Sequence, residues 1–120
     1  MKLLFIAINL VLTAPHNAIS QVRSDFEMSI VQDVSQVLLW GLLLDICRET
    51  KYIGDYNEAL NQTSSSIERL TGSQEMLKRL IMEEAWTIAK ARLPRFECER
   101  DRNRLRTLAY QSADRLESLE

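Results

Sequence analysis

The sequence predicts an all-α fold, a small bundle of about four helices stapled by one disulfide. Apolar residues recur at helical spacing in several separate segments, and no segment shows convincing period-two alternation. Two cysteines, Cys47 and Cys98, fall in different helical segments of a chain that begins like an exported protein. With 46% hydrophobic residues, three Gly and two Pro in 120 residues, the composition is that of one compact domain, not a linker or a repeat array.

The N-terminus reads as a cleavable signal peptide over residues 1–20. Met1-Lys2 is a short basic start, Leu3 to Ala14 is an apolar stretch too short to span a bilayer comfortably, and Pro15 breaks it. Ala18 and Ser20 then offer small residues at the positions a signal peptidase reads, which places cleavage before Gln21 and leaves a single helical domain over 21–120. Export, with a bacterial periplasm preferred over the extracellular space, favours pairing of Cys47 with Cys98.

Ser24-Asp25-Phe26-Glu27 has capping-box spacing and opens the first helix, expected to run to Tyr52 or Ile53 and to stop at Gly54. Its apolar stripe is Ile30, Val34, Leu38 and Gly41; Ser29, Gln32, Asp33 and Gln36 make a polar stripe opposite. The polar side turns apolar at Trp40, Leu43 and Cys47, so the segment Val37 to Cys47 needs cover on that side too and is the expected centre of the core.

A short helix from Asp55 through Leu60 comes next, then a polar loop over Asn61 to Ser66, and a last turn around Ile67 to Leu70 stopped by Gly72. Asn61-Gln62-Thr63 matches a glycosylation sequon and is taken as a chance occurrence. Gln74 to about Arg92 forms the third helix, ended by Pro94, with Leu77, Leu80, Ile81 and Ile88 at the centre of a wide apolar arc that suits a monomeric core or a homodimer interface equally. The fourth runs from about Arg95 towards the C-terminus with Cys98, Leu105, Leu108, Ala109, Ser112, Leu116 and Leu119 near one face. Its charged run, Glu99 to Arg106, alternates acids and bases and reads as a mixed solvated face. Trp40 and Trp86 are the candidate core or interface aromatics, and Met28, Met76 and Met82 read as core filler.

Composition narrows the chemistry. The formal charge of −2 gives no excess to attract nucleic acid. The single histidine, His16, lies in the leader, so the mature chain offers neither imidazole catalysis nor the usual His and Cys metal sites, and no cofactor motif is present. Asp45 and Glu84 fall on predicted apolar arcs, which makes them the candidate buried or interaction acids. The expected function is therefore protein binding without catalysis, of the inhibitor, immunity, chaperone or secretion-accessory type, by a mature domain that is not membrane-inserted. The alternatives are a small hydrolase using a carboxylate pair such as Asp45 and Glu84, or a membrane-associated protein that keeps its N-terminal anchor.

Overall fold

A computed structural model describes residues 25–119; the leader, its cleavage point and the Ser24 cap lie outside the described residues. Within them the chain is all-α. Helix α1 covers Asp25–Ile46, α2 Ile53–Thr71, α3 Glu75–Arg92 and α4 Cys98–Ser118, with a single 3-10 turn at Leu93–Arg95 before α4. The helices run up, down, up and down. Asp33 meets Arg115 near one end of the α1–α4 pair, and Cys47 is bonded to Cys98 at the other. Helix α2 lies parallel to α4, since Asp55, Gln62 and Arg69 meet Arg106, Asp114 and Leu119 in that order.

Helix α1 is the core. Ile30, Val31, Val34, Val37, Leu38, Leu39, Trp40, Leu43 and Leu44 are all buried, covering most of its circumference. By length and composition α1 could cross a membrane, yet these side chains pack against the other helices, as the central helix of a bundle requires. Trp40 occupies the place where the polar side turns apolar, and α4 covers it as expected: its ring lies 5.6 Å from that of Tyr110 and meets Tyr56 of α2 edge-on at 5.8 Å. The Tyr56 ring lies directly on the α1 backbone at Gly41, where an added Cβ would fall 2.3 Å from it. Gly41 is therefore required by close helix approach, not by turn geometry.

The end of α1 differs from expectation. It stops at Ile46, and Gly54 sits inside the first turn of α2. The stop is a Schellman arrangement built on Arg48, which adopts φ 54°: the Glu49 N–H bonds to the Leu44 carbonyl at 2.9 Å and the Arg48 N–H to the Asp45 carbonyl at 3.1 Å. A left-handed non-glycine residue costs about 1 kcal/mol or more, so sequence rules look for glycine here.

Helix α2 is continuous where a loop was expected. Thr63 and Ser66 are buried together with Ala59 and Ile67, and these small side chains give α2 a face that packs close to its neighbours, so tertiary packing outweighs the weak helix propensity of Asn61 to Ser66. Gly72, at φ 58°, ends α2 as predicted. On α3 the buried residues are Ile81, Ala85 and Ala89; Leu80 and Met76 are exposed, as is Met28 on α1, so these two methionines are not core filler. Trp86 is half-buried against the core with the Lys90 ammonium 5.8 Å above its ring. Helix α4 begins at Cys98, after the 3-10 turn that Pro94 initiates. Its C-terminal carbonyls are capped from α2: the Arg69 guanidinium donates to Leu116 O at 3.1 Å, Glu117 O at 3.0 Å and Leu119 O, and Leu116 O also accepts the Leu119 N–H at 3.2 Å.

Candidate functional site

The buried acids are not the ones the hydropathy pattern selects. Asp45 and Glu84 are both exposed. Asp33 and Asp101 are buried instead, at 7% and 2% exposure. Asp33 accepts from the Arg115 guanidinium at 2.7 Å, and Arg115 also donates to Ser112 Oγ at 3.1 Å, which fixes α4 to α1. Asp101 organises the start of α4. Its carboxylate accepts from Arg100 at 3.0 Å, from the Glu97 backbone N–H at 2.8 Å and from Arg104 at 2.7 Å. No side chain caps α4 at Glu97, so Asp101 satisfies that terminal donor from inside the helix.

The Arg100 hydrogen bond, followed by the Glu97 N–H and then Arg104, holds the Asp101 carboxyl down to about 2 from its ordinary 3.8. A carboxyl depressed on folding stabilises the protein fully above its unfolded pKa, and that contribution is lost as pH falls through the folded value. Stability should therefore decline between about pH 4 and pH 2 through this residue. Thermal melts across that window test it: Asp101→Asn is expected to be less stable than the parent at neutral pH and to show a flatter decline on acidification. Parallel curves for the two proteins would contradict this.

The charged run around Asp101 is thus not simply a solvated face. Arg102 pairs with Glu49, and Arg106 pairs with Asp55 at 3.2 Å while its guanidinium lies 4.9 Å from the Tyr52 ring centre. Two arginines one turn apart on α4 therefore grip the connection between α1 and α2. Together with Cys47–Cys98, whose Cα atoms are 5.7 Å apart, they form a three-point clasp at one end of the bundle.

Beside this clasp, at the α1–α2 corner, is a recess of about 380 Å³ lined by Gly41, Leu44, Asp45, Arg48, Glu49, Thr50, Ile53 and Tyr56. Its lining is mostly apolar, and burial pushes the Tyr56 phenol above its ordinary pKa, so it remains a neutral group. Glu49 is committed to Arg102. Asp45 and Arg48 have no ion pair or side-chain hydrogen bond with any described residue. Ile53 in the lining is 46% exposed, and Ile46, next to Asp45 in the chain, is 59% exposed; the recess carries one acid and one base that have no ion pair among the described residues.

Two other depressions lack such a pair of opposite charges, the first carrying only Glu58 without an ion pair among the described residues. A groove of about 600 Å³ along α2 is crossed by Gln62, which donates to Asp114 and Glu117 of α4, and by the Arg69 cap. A cleft of about 240 Å³ between α2 and α3 is bridged by Lys78 and Glu68 at 2.7 Å. Of the residues singled out in the sequence, Asp45 lines the corner recess and the disulfide closes beside it; Glu84, Trp40 and Trp86 are not in its lining. Arg48, a basic residue near enough in the chain to pair with Asp45, forms no ion pair with it, and Ile46, Ile53 and Tyr56 carry no functional signal in the sequence. Among the described residues, no group of three or more His, Cys, Asp or Glu is placed to hold a metal ion. No family model, no curated protein and no solved structure matches this chain.

Proposed function

We propose that the chain is an exported binding protein without catalytic activity, and that it docks another protein at the α1–α2 corner. The observation that carries the reading is the pair of charges, Asp45 and Arg48, that have no ion pair among the described residues and line an apolar recess together with exposed Ile53. Neighbouring charged groups Glu49, Asp55, Arg102 and Arg106 are all engaged within the fold. Exposed apolar surface next to a concave pocket is a feature of protein interfaces. The Cys47–Cys98 bond is compatible with an oxidising destination, the periplasm being the preferred one.

The test is affinity capture from the native envelope or secretion fraction, comparing the parent with an Ile46→Ser/Ile53→Ser variant. Both changes are at exposed positions, so circular dichroism and melting temperature should stay close to the parent's. The captured partner is expected to be lost or strongly depleted with the variant. Undiminished capture by a folded variant would overturn the docking site, and an intact mass that does not begin at Gln21 would overturn the cleaved export form.

A further inference from the structure

We infer that the corner recess receives a segment of the partner that inserts one large apolar side chain and flanks it with a basic group for Asp45 and an acidic group for Arg48. This rests on the docking reading above and adds the chemistry of the occupant. The first support is the backbone of Arg48. It occupies the left-handed position that ends α1, at φ 54°, where glycine would sit without steric cost. No ion pair or hydrogen bond of its side chain within the fold offsets that cost, whereas Arg102 and Arg106 each close an ion pair. Strain held at a residue whose charged group has no ion pair or hydrogen bond among the described residues points to a polar contact made outside the fold.

The second support is the layout of the lining. Leu44, Ile53 and Tyr56 give an apolar wall, and at about 380 Å³ the recess lies at the small end of ligand-sized pockets, roughly 300–1,000 Å³. A single large side chain suits that space. Asp45 and Arg48 share the lining but do not pair with one another. Two separated charges of opposite sign reward a segment that presents the complementary pair and penalise one that presents like charges, which gives the segment a direction as well as an anchor. Ile53 in the lining is 46% exposed, so the apolar wall reaches the open surface, where a polypeptide segment can run on past the recess and a small molecule filling it would not.

The experiment uses nuclear magnetic resonance titrations of the isotope-labelled protein with three blocked tripeptides: N-acetyl-Lys-Trp-Glu-amide, N-acetyl-Glu-Trp-Lys-amide and neutral N-acetyl-Ala-Trp-Ala-amide. Saturable shifts are expected at the amides of Gly41, Asp45 and Ile53. One of the two charged orders should bind about fivefold or more tighter than the neutral peptide, the scale of one or two exposed charge contacts. Arg48→Gly should raise the melting temperature while bringing that charged peptide close to the neutral one, and Arg48→Lys should retain most of the preference. The inference is overturned by equal binding of all three peptides, by Arg48→Gly leaving the preference intact, or by the absence of saturable shifts at the recess. Any of these results leaves the dependence of partner capture on Ile46 and Ile53 to be judged separately.

Discussion

Replacing both cysteines by serine is expected to lower the free energy of unfolding by about 4 kcal/mol, the loop-closure entropy that the Cys47–Cys98 bond, spanning 51 positions, removes from the unfolded chain. Against a total of roughly 5–15 kcal/mol for a typical domain, that is a large share. Urea unfolding of the oxidised parent and the double serine variant measures it directly. The same junction is also held by Glu49–Arg102 and Asp55–Arg106, so the variant should remain helical in dilute buffer. The part of its stability that comes from these ion pairs should fall as salt is raised, because a partly exposed ion pair is screened. A loss below about 1 kcal/mol would mean that the unfolded chain keeps the two segments together without the bond.

Trp40→Ala should cost about 3–5 kcal/mol through the cavity left between α1, Tyr56 and Tyr110. Trp40→Phe tests the packing separately. Among the described residues the buried Trp40 indole Nε1 has no hydrogen-bond partner, so phenylalanine gives up no bond to them and relieves an unsatisfied donor while leaving only a small void. Its cost is expected to be about 1 kcal/mol, well below that of alanine. Chemical denaturation with an unchanged denaturant slope provides the measurement. If phenylalanine were as damaging as alanine, the indole N–H would have to be making a contact, such as a buried water, that matters to the fold.

The helical class, the central place of Val37 to Leu44, the disulfide and the Gly72 stop are all legible in the sequence, because each depends on periodicity or local chemistry, whereas the last three residues of the expected central segment fall at the open end of α1, where Asp45 and Ile46 are exposed. The acids show where such reading fails. Asp45 does continue the Ile30, Val34, Leu38, Gly41 stripe, but α1 ends one residue later and the stripe runs out beyond the helices that would cover it. On α3, weighting by hydrophobicity centres the arc on leucine and isoleucine and so includes Glu84. The buried line is Ile81, Ala85 and Ala89, about 80° further round at 100° per residue, because alanine lets helices approach closely.

The true buried acids did leave a signal. Asp33 extends the line of Val37, Trp40 and Leu44 backwards by one turn, and Asp101 does the same for Leu105, Ala109, Ser112 and Leu116. Following each apolar line into its charged neighbour, instead of treating the charge as the end of the line, finds both. The corner recess was less accessible. It depends on a tyrosine from α2 folding over a glycine of α1 and on a left-handed arginine, and neither relation has a sequence period.

The clasp also bears on how fast the chain folds. Its three links join residues 51, 53 and 51 positions apart, so they close nearly the same loop, and whichever forms first makes the other two local events. In the oxidised chain the covalent link is already in place when refolding begins. The search that brings α1 against α4, the most distant pairing in the bundle, then starts with its ends joined, and the contact order felt by the folding chain is lower than the native contacts alone suggest. Oxidised protein should therefore refold faster than its reduced form.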